Sequence, residues 1–251
     1  MNRRLTIVFL ALIATVAAGH AAAQAPLVLD PAKLRLASLN AVVFDASANR
    51  PVYAKGADDV TPIASLTKLM TAIVTLDADL LLDESIVIDL DDLDFLKGTR
   101  SRLRMGTELP RREMLRLALM ASENRAASSL ARTYPGGTPA FVAAMNAKAA
   151  ALGMAHTSFS DATGLSAQNV STANDLATLV AAAAQYSQIR EFSTTGTHYV
   201  EVQPTGQLLG FNNTNNLVKS AQWTFSCRRR GTFARPASAW SCWRRLPASR
   251  S

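Results

Sequence analysis

Ser65 and Lys68 are the residues whose types and spacing point most directly to chemistry. They stand in Ala64-Ser65-Leu66-Thr67-Lys68-Leu69-Met70, at the start of an apolar run whose period reads as a helix. Three positions apart on a helix, two side chains share one face and can touch. A serine hydroxyl is a poor nucleophile until a base takes its proton. A lysine at its ordinary pKa of roughly 10.4 is protonated at pH 7 and cannot be that base. Burial, a neighbouring positive charge and the positive end of a helix all lower that value. The pair therefore fits a nucleophile with its general base, although the same spacing also describes an N-cap serine and a solvated lysine. A second pair, Ser122 and Asn124, falls in Met120-Ala121-Ser122-Glu123-Asn124, between two helical runs. Such a break can aim a hydroxyl and an amide into a cleft. The serine can relay a proton, and the asparagine can bind a carbonyl or orient the lysine. Alone, this triplet also reads as a helix cap.

The elements that would position these four residues follow from pattern. Leu39 to Asp45 is a buried run, Ala48-Asn49-Arg50-Pro51 a turn, and Val52-Tyr53-Ala54 a returning strand, which predicts a hairpin. Thr61-Pro62-Ile63 then leads into the Ser65 helix, which runs through Leu76. Ile86-Val87-Ile88 reads as a strand, with the acidic stretch to Asp94 as a solvated loop. That stretch (Asp89, Asp91, Asp92, Asp94) lacks the glycine and the terminal glutamate of a calcium loop. Helices are predicted over 111–119, 125–133 and 139–152, and from a cap at Ser171 to Asp175 through Ala184. A loop surrounds Thr163-Gly164-Leu165. Thr197 to Val202 alternates as a strand, and residues 211–216 read as a polar loop. Strands first, helices in the middle and strands returning predict an α+β fold, a helix cluster beside an antiparallel sheet whose halves are far apart in sequence.

The two ends differ from the body. Asn2-Arg3-Arg4, the apolar run Leu5 to Gly19 and Ala21-Ala22-Ala23 before Gln24 form the pattern of a secretory signal peptide, residues 1–23. The apolar run is short for a membrane span. The mature chain is thus expected to start near Gln24 and to be exported, with at most peripheral membrane association. The net charge of +7 invites a nucleic-acid reading, but residues 227–251 hold seven arginines and no acid. Without them, 26 − 7 leaves 19 basic residues against 19 acidic ones, so no nucleic acid is expected as a partner. Both cysteines lie in the same tail, so the body carries no disulfide framework. The three histidines (His20, His156, His198) are scattered, and neither a metal nor a cofactor is implied.

Together, "PIASLTKLMTAIV", "LALMASENRAASSLARTYPGG", "FVAAMNAKAAALGM", "TGLS" and "NNTNNLV" resemble the penicillin-recognising serine D,D-peptidases over about residues 36 to 223. The nearest resemblance is to the small exported D-alanyl-D-alanine endopeptidases and carboxypeptidases (peptidase family S11), with a β-lactamase/transpeptidase-like fold. The resemblance implies Ser65 as acylated nucleophile, Lys68 as general base, Ser122 as proton relay and Asn124 as substrate and lysine contact. It implies hydrolysis of peptidoglycan stem peptides or cross-links in the periplasm, with β-lactams as covalent inhibitors. Ser-Glu-Asn and its flanking helices favour the endopeptidase branch.

The family's third motif, Lys-Thr-Gly, is missing from its expected place. The chain there reads Cys227-Arg228-Arg229-Arg230-Gly231-Thr232. If Arg228 ends in A and residues 229–231 are AGA-CGG-GGN, reading one base earlier gives AAG-ACG-GGG, which is Lys-Thr-Gly. In that frame Ala237 to Trp243 can read Gln-Arg-Leu-Val-Met-Leu, a buried strand. The expectation is a catalytic domain over 24–226, incomplete at its C-terminal side with strands missing, and a frameshift-derived tail over 227–251, the alternative being a genuine disordered basic tail. A chain altered in this way could be a non-catalytic peptidoglycan-binding remnant. A class A β-lactamase is disfavoured, because the glutamate it uses after the Ser-x-Asn motif has no counterpart between Asn124 and Glu191.

Overall fold

The computed structural model describes residues 36–45, 48, 50–94 and 98–219, with the backbone of two strands at 228–230 and 240–242. The signal segment and most of the tail fall outside these residues. The described part is built around one helix, α1 (Thr67–Asp77), of which Thr67 through Thr75 are all buried. A helix buried all round must be surrounded by others. Five do this: α2 (Arg111–Met120), α3 (Asn124–Arg132), α4 (Gly137–Ala151), α5 (Ala173–Ala183) and α6 (Ser187–Thr194), and each packs against α1. The polar positions of α1 are satisfied within the core. Thr75 Oγ1 donates to the Thr71 carbonyl (2.8 Å), and Thr71 Oγ1 donates to the Ala162 carbonyl (2.7 Å). No helix among the described residues is long and apolar enough to cross a membrane.

Strands form antiparallel pairs at the margins. β1 (Ala41–Asp45) and β2 (Arg50–Lys55) make the expected hairpin, from Ala41 opposite Lys55 to Asp45 opposite Arg50. β3 (Thr61–Pro62) pairs with β6 (Val170–Ser171), and β4 (Ser85–Val87) pairs with β5 (Glu108–Pro110). β7 (Thr197–Val202) pairs with β8 (Gln207–Asn212) in full register, and β9 (Arg228–Arg230) pairs with β10 (Trp240–Cys242). The α+β expectation holds. Among the described residues, however, each ladder has two strands, and none joins the N-terminal hairpin to the later ones.

Three segments differ from the sequence reading. Helix α6 was not expected; burial of Ile189 and Phe192 holds it, with the Arg116 guanidinium 4.1 Å from the Phe192 ring centroid. The strand β8 extends through Phe211 into what reads as a polar loop. Asn213 and Asn215 after it are buried tethers rather than solvated residues. Asn213 Nδ2 donates to the carbonyls of Ser193 (2.9 Å) and Thr195 (2.8 Å), and its Oδ1 accepts from the Asn215 amide (2.9 Å). The acidic stretch is solvated only in part, with Asp89 and Asp91 exposed and Asp92 buried. Asp89 caps a 3-10 turn, and the buried Asp92 carboxylate pairs with Arg132 at 2.8 Å. That partner keeps a buried carboxylate tolerable.

Helix α4 closes the core with Phe141, fully buried and edge-on to Tyr134 at 5.2 Å between ring centroids. Replacing Phe141 by Ala removes that ring and leaves a cavity under α1. The expected loss is about 3–5 kcal/mol, read from urea unfolding midpoints at unchanged m-value.

Candidate active site

Ser65 lies in a 3-10 turn, Ala64–Leu66, that opens directly into α1, so Lys68 sits one turn further along the same face. Neither of the plainer readings survives. Ile63, not Ser65, occupies the cap position, and Lys68 has no exposed surface. Lys68 Nζ lies 3.2 Å from Ser65 Oγ, 2.7 Å from Asn124 Oδ1 and 2.5 Å from the Thr163 carbonyl. Ser122 Oγ donates to Ser65 Oγ at 2.9 Å. All four residues singled out in the sequence therefore meet at one point. Ser122 is no cap either, since Glu123 takes that position on α3. Ser122 has φ +60°, a left-handed conformation that turns its hydroxyl out of the gap between α2 and α3. The gap is held by the amides of Glu123 and Thr214, which donate to the carbonyls of Leu117 (3.2 Å) and Met120 (3.0 Å).

The turn carrying Ser65 is fixed from the opposite side by residues 160–170. Gly164 adopts φ +81°, and a Cβ built on it would lie 1.9 Å from the Ala64 carbonyl oxygen. Only glycine lets the two backbones approach so closely. Asp161 shapes this loop: Oδ1 accepts from the amides of Thr163 (2.6 Å) and Gly164 (2.5 Å), and Oδ2 from that of Ser166 (2.7 Å). Asn169, fully buried, bridges loop and helix. Its Oδ1 accepts from the Ser160 amide (2.7 Å), its Nδ2 donates to Thr67 Oγ1 (2.9 Å), and its carbonyl accepts from the Ile63 amide (3.0 Å). Thr99 joins from another loop, accepting from Asn124 Nδ2 at 3.1 Å. Asp161, Asn169 and Thr99 were not singled out from sequence. The glycine three positions after Asp161 in "SDATGLS" signals a turn, but not which amides that carboxylate meets.

Glu123 is buried between Ser122 and Asn124. Burial raises its pKa above the usual carboxylate value. A hydrogen bond from Ser101, the Arg125 amide, and the charges of Lys68 and Arg125 offset this in part. Among the described residues no cluster of three or more His, Cys, Asp or Glu could hold a metal.

A serine oxygen touched by both an amine and a second hydroxyl is equipped for acyl transfer. The profile of the D-alanyl-D-alanine carboxypeptidase family (peptidase S11) matches residues 24–237. The chain belongs to that family. It is 46% identical over 230 residues to a D-alanyl-D-alanine endopeptidase of Pseudomonas aeruginosa, covering 92% of this chain and 74% of the relative. It is 47% identical over 196 residues to one of Escherichia coli, covering 78% of this chain and 63% of that relative. The chain thus spans less than two thirds of the Escherichia coli protein. The crystal structure of the Streptomyces K15 DD-transpeptidase superposes with a TM-score of 0.76 at 25% identity, covering 84% of this chain and 87% of that one. These likenesses establish the penicillin-binding type of fold.

Two outcomes test the site's construction. In Gly164→Ala, the left-handed backbone alone costs about 1–3 kcal/mol. The added methyl must also push the Ala64–Ser65 turn away, so both thermal midpoint and Ser65 reactivity should fall. Glu123→Gln tests the buried carboxyl. Its folded pKa lies above the unfolded one, so stability from its protonated form is present below the unfolded pKa and lost as pH rises through the folded pKa. The variant should gain stability relative to the parent across that window, as read from urea midpoints against pH.

Proposed function

We propose that this chain is an exported serine D-alanyl-D-alanine peptidase that cleaves peptidoglycan peptides through an acyl-enzyme on Ser65 and is trapped there by β-lactams. The observation that carries the reading is the run of contacts Ser122 Oγ–Ser65 Oγ–Lys68 Nζ, with Lys68 held by Asn124 and Thr163. Both of the latter acceptors are carbonyl oxygens, which cannot donate. In a neutral amine they occupy the two N–H bonds and leave the lone pair facing Ser65. Ser65 Oγ then attacks the carbonyl carbon of a D-Ala-containing amide as its proton passes to Lys68 Nζ. A C–O bond forms, the C–N bond breaks, and Ser122 conveys the proton to the departing amine. Water cleaves the resulting ester by the reverse proton path. The names of the relatives favour a cross-link over a terminal D-alanine as the natural bond. Processing near Ala23 and a periplasmic location complete the reading.

The tail is read as the product of a shifted frame, starting near Phe225. What supports this is placement: the backbone of β9 packs beside the turn holding Ser65. A Lys-Thr-Gly strand read there one base earlier would line the cleft and offer its edge and lysine to the substrate. Without it, the given chain can fold and bind without acylating.

Intact-mass detection of a penicillin adduct decides between these readings, using residues 24–251 and the version re-read one base earlier. An adduct on both, lost in Ser65→Ala, is the expected result if the tail is tolerated. In Lys68→Ala the acylation rate should fall by about 10²–10⁴-fold. An adduct on the re-read version alone makes the given chain the non-catalytic form. No adduct on either folded protein ends the serine-peptidase reading.

A further inference from the structure

Thr99 reaches the reacting group from a loop that carries none of the motif residues. Its Oγ1 accepts from Asn124 Nδ2 at 3.1 Å, across 25 positions of sequence. The other end of the same side chain, Asn124 Oδ1, accepts from Lys68 Nζ at 2.7 Å. One planar amide thus joins the general base to this loop. The loop itself is pinned at several points. The Thr99 amide donates to Asp94 Oδ2 at 2.9 Å, and the Leu103 amide donates to Ser101 Oγ at 3.0 Å. Leu103 is fully buried, and its carbonyl accepts from Arg125 Nη1 at 2.6 Å. Arg102 donates to the Gly210 carbonyl and lies 5.8 Å from the Phe211 ring centroid. The Thr99 hydroxyl is therefore delivered by a loop fastened to α3 and β8.

An asparagine amide keeps nearly the same shape after a half-turn about its last bond, which exchanges Oδ1 and Nδ2. The two orientations do opposite things to a lysine base. With Oδ1 inward, the amide accepts an N–H of Lys68 and leaves the amine lone pair available. With Nδ2 inward, it would donate to that lone pair and compete with the Ser65 proton. A charged Lys68 can only donate, so it selects Oδ1 by itself. A neutral amine can also accept, so the selection weakens in the form that must act as base. We propose that Thr99 is a positioning residue for acylation: by accepting one Asn124 N–H it holds Oδ1 on Lys68 and leaves the second N–H for a substrate carbonyl. The inference rests on the acyl-transfer reading. With Thr99 in place, a turn of the amide has to break two hydrogen bonds rather than one. The bonds to Lys68 and Thr99 also share one conjugated amide, so each polarises and strengthens the other.

The Asn124 side-chain proton pair reports this contact directly, by NMR of residues 24–251 labelled with ¹⁵N-asparagine and assigned with Asn124→Asp. Thr99→Val keeps the branched shape and removes the hydroxyl, whereas Thr99→Ser keeps the hydroxyl. Exchange of the slower Nδ2 proton with water should rise about tenfold in Thr99→Val and return towards the parent rate in Thr99→Ser. In whichever chain version forms the penicillin adduct, the acylation rate should likewise fall about tenfold in Thr99→Val and recover in Thr99→Ser. An unchanged exchange rate in folded Thr99→Val overturns the proposal, and so does an unchanged acylation rate in a version that forms the adduct. Should Thr99→Val not fold, the unmutated chain still decides. One of its two Nδ2 protons should exchange about tenfold more slowly than the other, and equal rates overturn the contact. The exchange measurement needs no acylation, so absence of a penicillin adduct would end the acyl-transfer reading separately.

Discussion

An amine with no access to water is the constraint on which the site depends. Lys68 lies in the centre of a helix bundle, where an unpartnered ammonium or amine would cost several kcal/mol. Oxygen atoms must therefore be brought to it, and no single element can do so. Ser65 arrives from the preceding turn, Asn124 from 56 residues away and Thr163 from 95. The surrounding architecture follows from that requirement. Helix α1 has to be central, α2 and α3 have to break at Ser122, and the loop 160–169 has to press against the start of α1.

These contacts join segments far apart in sequence, so the site forms with the whole fold rather than with any local unit. Two residues that flank or touch Ser65 hold left-handed backbone conformations without being glycine: Ala64 at φ +45° and Ser122 at φ +60°. Each costs of order 1–3 kcal/mol and persists only where neighbours over-determine it. For Ala64 those neighbours are the β3–β6 pairing, the bond from the Ile63 amide to the Asn169 carbonyl, and the close approach of Gly164. For Ser122 they are the amides of Glu123 and Thr214 closing on the end of α2. The buried Asn213, which tethers the segment bearing Thr214, thus supports a hydroxyl it does not touch.

What could be read from the sequence divides along the same line. Ser65, Lys68, Ser122 and Asn124 were legible because side-chain chemistry and short spacing betray them. The hairpin β1–β2 and the helices α1 to α5 were legible because apolar period and caps act locally. Asp161 and Asn169 were not, since their work is to accept from and donate to backbone groups, and no residue pattern marks which amides will be near. Asp92 looked like one of a run of solvated acids, because its partner Arg132 is 40 positions away. Helix α6 was missed because Ile189 and Phe192 supply too few apolar positions to set a period. Its stability comes from what it packs on. Lys-Thr-Gly belongs to a different kind of illegibility, in which the departure from the family pattern can be examined only in the codons.

On the proposed acyl-transfer reading, the division of labour around Lys68 also has an electrostatic logic. A general base must lose its proton near neutral pH and regain it during the reaction, so its surroundings cannot favour one form too strongly. Carbonyl acceptors such as Asn124 Oδ1 and the Thr163 oxygen orient N–H bonds while carrying no net charge. A carboxylate in their place would pin the lysine as ammonium and silence it.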